Sequence, residues 1–450
     1  MQHFSDLVSA LNAIVWGTPM VVLLFGTHLF LTFRLGFVQR HIFRGIRLSV
    51  AKDAEGGGDV SPFGALATAL AATIGTGNIF GVAGAIYVGG PGAVLWMWLT
   101  GVFGIATKYA EALLSVKYRI TTPEGHTVGG PMYVLEHQLG LKTLGRIFAG
   151  LTVLASFGIG NMVQSNTLSN LISTVTLKAG GFPHITPLMS GLVMTLLTAL
   201  VILGGIRSIA RVCSWLVPFM AVIYVAGCVA ILIRNAEMLP DTFRLIFEGA
   251  WKGHAAAGGF AGAVLSRTIQ RGIARGLFSN EAGMGSAPIV AAAARCTHPV
   301  RQALVSATGT FWDTVVICLL TGLVIVSSGA WTHAESGKDL CEQAFAQLPV
   351  WGPFVLTFGL MTFVMSTILG WSYYGERAAE YLFGSTIITP YRLLWVGAVL
   401  LGSLAELNLV WNLADTLNAL MAVPNLISLL LLSGLIARET KSYFLAHPRE

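Results

Sequence analysis

Two stretches of this chain place polar residues and paired glycines inside otherwise apolar sequence. The first, ALAATIGTGNIFGVAG, carries Gly75, Thr76 and Gly77 between Thr73 and Asn78. Glycine costs about 1 kcal/mol against alanine in a helix interior. Two of them with polar flanks invite the backbone to leave the helix, and lipid cannot satisfy the carbonyl and N–H groups set free. A bound ion and a polar solute can. The second, GLFSNEAGMGSAPIVAAAA, puts Ser279, Asn280, Glu281, Gly283, Gly285 and Pro288 in the same situation. A charge there costs about 2.5–3.5 kcal/mol at mid-membrane. Gly-x-Gly alone also marks a packing seam between helices. The acidic and amide side chains of the second stretch argue for a site instead. Half-helix N-termini favour an anionic group, and unwound carbonyls favour a small cation.

Other polar residues lie in apolar surroundings. Asp313, in TGTFWDTVVICLL, stands near the centre of a span, where a carboxylate binds a cation, receives a proton or pairs with arginine. Glu281 is similar, or ties the second break to neighbouring backbone N–H groups. Asn161 and Gln164 are three apart and are expected to share a helix face. Arg267, Arg271 and Arg275 follow i, i+4 spacing, hence one face, expected to look into a wet outer vestibule. Glu376, Arg377 and Glu380 read equally as a gate cluster or as interfacial anchors. No H-E-x-x-H or Walker A motif is present, which argues against a zinc hydrolase or an ATP-driven machine. The five cysteines include no C-x-x-C pair, which argues against a disulfide framework or zinc site.

The elements that must position these residues are apolar helices. The 450 residues are 54% hydrophobic and 11% charged, against about 25% charged in soluble domains. Apolar runs of about 20 residues recur along the chain, the length that crosses a bilayer core of about 30 Å. We count eleven: Ile14–Phe33, Pro62–Val88, Pro91–Val116, Ile147–Ser173, Pro187–Leu203, Ala210–Ile233, a broken one from Phe260 to Ala294, Ala303–Ser327, Val350–Leu369, Leu393–Val410 and Ala414–Leu435. Ser328–Gln347 reads as an external loop. Basic residues concentrate in alternate loops, such as Arg34, Arg40, Arg44, Arg47 and Lys52, then Lys117, Arg119, Lys142 and Arg146, and finally Arg438, Lys441 and Arg449. The positive-inside rule puts the N-terminus outside and the C-terminus in the cytoplasm. It also accounts for the net charge of +6 without nucleic acid, for which no basic face or module is present. The first residues lack the basic n-region of a cleavable signal peptide.

With the first span set aside, the breaks fall in the first and sixth of ten. A broken helix in each half of the chain is the sequence sign of a transporter built from inverted repeats, here of five helices each. The expected fold is an all-α polytopic membrane protein. Residues 1–55 hold the extra helix and a basic loop, and residues 56–436 the core. Its repeats cover about 60–235 and 258–436, and residues 437–450 form a cytoplasmic tail.

SPFGALATALAATIGTGNIFGVAGAIYVGGPGAVLWMW, ARGLFSNEAGMGSAP and STILGWSYYGERAAEYLFG together resemble the alanine or glycine:cation symporter family, over roughly Ser61 to Leu435. The resemblance implies a LeuT-like core of five-plus-five inverted helices that imports alanine or glycine with Na⁺ as coupling ion and needs no organic cofactor. It implies that Gly75, Thr76 and Gly77 offer backbone N–H groups to the substrate carboxylate, with Thr73 beside them. The carbonyls of Ala71, Ile74 and Phe363 and the hydroxyls of Ser366 and Thr367 would hold the sodium ion. Gln164 would contact the amino acid by its side chain. Phe278, Ser279, Asn280 and Trp371 would form the opposite wall, and Met284 would close it. Asn78, Glu281 and Asp313 remain for coupling or gating. The expected partners are a small neutral amino acid, sodium and the lipid of a plasma membrane, the bacterial inner membrane included, with the monomer as working unit. A proton-coupled symporter of the same fold, using Asp313 or Glu281, is the alternative. An intramembrane enzyme has no residue constellation in its favour, and a channel would be excluded by saturable, electrogenic uptake at carrier turnover.

Overall fold

The computed structural model describes residues 2–51, 56–178, 184–252, 261–405 and 408–447. The expectations that involve Lys52, Phe260 and Arg449 lie outside these residues. In chain order the principal helices are α1 (Gln2–Val15), α2 (Thr18–Arg34), α3 (Pro62–Thr73), α4 (Phe80–Gly89), α5 (Ala93–Lys117), α6 (Lys142–Ala155) and α7 (Val163–Lys178). They continue with α8 (Pro187–Ile202), α9 (Gly205–Arg234), α10 (Ala261–Asn280), α11 (Ala287–Ala291), α12 (Pro299–Thr310) and α13 (Leu319–Ser327). The last four are α14 (Trp351–Phe383), α15 (Ile388–Leu404), α16 (Asn408–Leu431) and α17 (Ser433–Ala446).

Among the described residues, seven helical passages are long and apolar enough to cross a membrane, or eight with the bent pair α3 and α4. The chain is therefore a polytopic helical membrane protein. The other three expected spans fall on α5, α8 and α10–α11. Each departs from an ideal span for a visible reason. α5 carries Lys108 and Glu111, α8 has 16 residues, and α10 carries three arginines.

Two passages contain π-helical turns. Ser156–Met162 joins α6 to α7, and Phe311–Cys318 joins α12 to α13. Such turns cluster at functional positions because they re-aim side chains. The expected external loop is partly helical. Ser336 caps a helix over Gly337–Ala346 by accepting from the Asp339 N–H, and that helix packs on α4. The first span also starts earlier than Ile14. α1 runs up to Val15, and Pro19 then opens α2 within its first turn.

The core is formed where α5 packs against α10, α12 and α2, while α14 packs against α3, α6 and α9. The two broken helices meet at their ends. Asp59 and Val60 donate backbone N–H groups to the Ala293 carbonyl, and the Arg295 N–H donates to Val60. Arg119 caps this junction, its guanidinium donating to the carbonyls of Ala292, Ala294 and Gly57. Glu376 pairs with Arg377 and Arg392, and Arg377 also pairs with Glu380. Glu376, Arg377 and Glu380 are buried, so this is an internal ion cluster and not a set of exposed interfacial anchors.

Candidate functional site

α3 begins as its sequence dictates, with Ser61 accepting from the Gly64 N–H and Pro62 at the first helical position. It ends at Thr73. The Gly75 N–H would extend the ladder onto the Ala71 carbonyl, but donates instead to Asn78 Oδ1 at 2.8 Å. A short 3₁₀ turn over Thr76–Asn78 follows, then α4, with the two halves bent by 62°. A new helical start leaves its first N–H groups without intrahelical partners.

The second break begins later than expected. Phe278, Ser279 and Asn280 are still helical, and the chain leaves the helix at Glu281, with φ of +53°. Asn280 Oδ1 accepts from the Ala282 N–H at 2.9 Å, an amide turning its own backbone out of the helix. Gly283 and Gly285 then take positive φ, which glycine adopts without steric cost. α11 starts at Ala287.

Between the breaks lies a cavity of about 20 Å³, lined by Ala72, Thr73, Gly75, Gly77, Ile159, Gln164, Phe278, Ser279, Glu281, Thr367, Trp371 and Asn418. Residues expected from sequence, from α3 to α14, thus meet in one place. Gln164 Nε2 donates to the Ile159 carbonyl at 3.0 Å. Its Oε1 has no hydrogen-bond partner among the described residues. Asn418 Oδ1 is likewise buried without a partner. Two unmet acceptors suit an ammonium group, and the helical start after Gly75 suits a carboxylate. A small zwitterion matches both.

Thr76, Asn280 and Met284 do not line this cavity. Thr76 is buried in the 3₁₀ turn, Asn280 holds the exit of α10, and Met284 is packed in the break. Asn161 also departs from expectation. It precedes the end of the π-helical turn, where three residues no longer bring side chains onto one face. Its Nδ2 donates to the Trp395 carbonyl on α15, away from Gln164.

Glu281 accepts from Ser286 across the break at 2.5 Å and from Trp371 Nε1 at 3.1 Å. It therefore ties the break through a hydroxyl and an indole. The carboxylate that binds backbone here is Glu111, which accepts from the Gly285 N–H and from Asn425, and Asn425 donates to the Gly283 carbonyl. Asp313 joins the two breaks. It accepts from Asn78 at 2.7 Å, from Ser279 at 2.9 Å and from Thr314 at 2.7 Å.

Glu111, Asn418 and Asn425 were not singled out in the sequence, although a carboxylate or amide within an apolar span is itself a signal. Trp371 offers a mild test. Trp371→Phe keeps a wall but removes the N–H donor to Glu281. The solute KM in an uptake assay is expected to rise several-fold, a fraction of the roughly 1.5–3 kcal/mol of a hydrogen bond to a charged group, because this bond positions the wall and does not touch the solute. An unchanged KM would show that the Glu281 contact does not position the wall.

An oxygen cluster adjoins the cavity. Ser366 and Thr367 hydroxyls each lie 2.9 Å from the Phe363 carbonyl, and 3.5 and 3.3 Å from that of Ile74. Each hydroxyl has one proton and can donate to only one carbonyl, so oxygen lone pairs remain for a hard cation. The freed Ala71 carbonyl is one turn back from the same break.

On the far side of Phe278 a cavity of about 210 Å³ is lined by Asn12, Trp16, Arg271, Arg275, Phe278 and Asp415 among others. Arg275 lies over the Phe278 ring, 5.6 Å from its centroid. Arg271 and Arg275 do share the face that lines this cavity, as their spacing implies, whereas Arg267 does not line it. Asn12 donates to Asp415 Oδ2, and Trp16 Nε1 to the Asp415 carbonyl.

Comparison with known proteins follows this geometry. The model of the sodium:alanine symporter family matches residues 1–449. The chain is 50% identical over 452 residues to the sodium/alanine symporter AgcS of Methanococcus maripaludis, covering 98% of this chain and 97% of that protein. It is 48% identical to an uncharacterized transporter of Haemophilus influenzae, covering 98% and 96% of the two chains. In structure it resembles MhsT, solved in complex with L-phenylalanine. The TM-score is 0.53 and identity 14%, over 85% of this chain and 98% of that one. That likeness establishes a LeuT-like fold.

Proposed function

From the premise that the chain belongs to the sodium:alanine symporter family, we propose that it imports a small neutral amino acid, alanine or glycine, by symport with Na⁺. The observation that carries this reading is the double position of Thr367. Its side chain lines the cavity between the breaks and also lies 3.3 Å from the Ile74 carbonyl in the oxygen cluster. A cation held there and a solute held beside it share one hydroxyl and one unwound segment, so each favours the geometry the other needs. Substrate carboxylate would meet the first break at Gly77, since Asn78 holds the Gly75 N–H and Thr76 does not line the cavity, and its ammonium would meet Gln164 and Asn418. Walls formed by Ile159, Phe278 and Trp371 around so small a space support a ligand with little or no side chain, although a methyl separates ligands by only about 1–3 kcal/mol.

In this reading eleven spans form two five-helix repeats, about 60–235 and 258–436, after one extra helix. The N-terminus lies outside, and residues 437–450 lie in the cytoplasm. The monomer is the working unit. Phe278 separates the outer cavity from the site and must move for solute to enter.

Purified protein in liposomes, assayed with labelled alanine and glycine under an inward Na⁺ gradient, tests the proposal. Uptake is expected to saturate with substrate and to fall to the level of protein-free liposomes when choline replaces Na⁺. Undiminished uptake without Na⁺ that instead follows an inward proton gradient would overturn sodium coupling and favour the proton-coupled alternative, with Asp313 or Glu281 as carrier.

A further inference from the structure

Lys108 is an anomaly that neither the breaks nor the oxygen cluster explains. It lies in the middle of α5 and is only 3% exposed. Its Nζ has no hydrogen-bond partner and no ion pair within 4 Å among the described residues. A buried ammonium without a direct partner costs several kcal/mol, so the fold must offset it at longer range.

The surroundings supply the offset. Lys108 borders a cavity of about 10 Å³ whose other walls include Ala65, Ala69 and Thr73 of α3, Ala287 of α11 and Gly309 of α12. That is room for about one water molecule. Three buried carboxylates stand around this region: Glu111 one helical turn on in α5, Glu281 on the adjoining cavity across Thr73, and Asp313 bonded to Ser279 of that cavity's wall. His28 of α2 bonds to Thr107, the residue before Lys108, and is a further titratable group beside it. α3, α11 and α12 present small or apolar residues and Ser306 to this cavity, and no charge. Each carboxylate is bonded only to neutral donors: Glu111 to Gly285 N–H and Asn425, Glu281 to Ser286 and Trp371, Asp313 to Asn78, Ser279 and Thr314. Among the described residues, none of the three is bonded to a lysine or arginine, and Lys108 is the cation that borders the adjoining cavity.

Two of these carboxylates, Glu111 and Glu281, hold the second break. Thr73 lines both the Lys108 cavity and the cavity between the breaks. The lysine therefore stands directly behind the solute cavity.

We propose that Lys108 is a resident cation of the carrier interior: a positioning residue whose fixed positive charge balances Glu111 and Glu281 and so keeps the second break in its working shape. It acts through those carboxylates and not by contact with solute. The proposal rests on the cavity between the breaks being the transport site.

Four proteins in liposomes test it: wild type, Lys108→Met, Lys108→Arg and the double variant K108M/E281Q. Glutamine in place of Glu281 keeps an acceptor for Trp371. Lys108→Met is expected to lower maximal uptake at neutral pH at least tenfold, with partial recovery at acid pH, where protons supply the missing positive charge. Lys108→Arg is expected to keep most of the activity. K108M/E281Q is expected to exceed K108M several-fold at neutral pH, because one negative charge leaves with the positive one. Wild-type uptake and pH profile in K108M would overturn the proposal. So would a monodisperse K108M/E281Q no better than K108M at any pH.

If K108M yields no folded protein, the yield of the double variant is read instead. Recovery supports charge balance and no recovery overturns it. If wild type shows no sodium-driven uptake, the transport reading fails by itself. The lysine is then judged from the thermal stability of the same four proteins, with the double variant above K108M if the charges balance and equal to it if they do not.

Discussion

Replacing Asp313 by alanine is expected to abolish uptake and to lower the unfolding temperature of the purified protein by many degrees. The carboxylate is fully buried and receives hydrogen bonds from Asn78, Ser279 and Thr314. Asn78 in turn accepts the Gly75 N–H that the first break turns out of its helix. One side chain therefore pins Gly75 through Asn78 and the last turn of α10 through Ser279. Alanine leaves three buried donors without that acceptor. Each unmet donor costs about 1–3 kcal/mol, against total stabilities of about 5–15 kcal/mol for folded domains. Asp313→Asn keeps one acceptor oxygen and adds a donor, so its effect should fall between alanine and wild type. Thermal unfolding in detergent and uptake in liposomes check both. An Asp313→Ala protein with wild-type stability and uptake would show that the two breaks are held by something else.

Thr367→Val should raise the Na⁺ concentration for half-maximal uptake by roughly 10–100-fold, with a smaller change in amino-acid KM at saturating Na⁺. Valine keeps the shape but removes the hydroxyl, and a polar contact to a charge is worth about 1.5–3 kcal/mol, where 1.4 kcal/mol is tenfold. Crowding the same point from the other side gives a second variant. A Cβ at Gly75 would stand 2.7 Å from Thr367 Oγ1, too close without a shift of α3 or α14. Gly75→Ala is therefore expected to weaken Na⁺ and amino acid together. Sodium dependence of uptake, measured at several substrate concentrations, separates the two patterns. A Thr367→Val carrier with unaltered sodium dependence would remove this hydroxyl from the cation site.

The sequence announced the breaks because their cause is local. Paired glycines and amide side chains disfavour a helix wherever they occur, so Gly75–Gly77 and the region of Glu281–Gly285 could be read without a fold. The exact start of the second break, at Glu281, was not legible. Propensity does not say that Asn280 would use its own side chain to turn the chain at Ala282. The helix over Gly337–Ala346 is polar enough to look like loop, and its local sign is the cap at Ser336.

The partners were harder to see because their cause is tertiary. Glu111 and Asn425 are 314 residues apart and meet only because α5 and α16 both pass the second break. Asn418 resembles a packing amide until Gln164 and Thr367 are placed around the same space. Asn161 failed for a subtler reason. The rule that residues three apart share a face assumes an α-helix, and seven residues there, Ser156–Met162, are wound as a π-helix.

The cavity beyond Phe278 is walled by residues of α1 and α16 and by Trp16. Asn12 binds Asn412, Asp415 and Thr416, and Trp16 binds Asp415, across about 400 positions of chain. During synthesis α1 and Trp16 leave the ribosome well before α16 and must wait, with the Asn12 amide and the indole unmatched, until it follows. This wall is thus among the last surfaces to form in the nascent chain, and a ribosome that stops before α16 releases a product whose first helix has nothing to dock on.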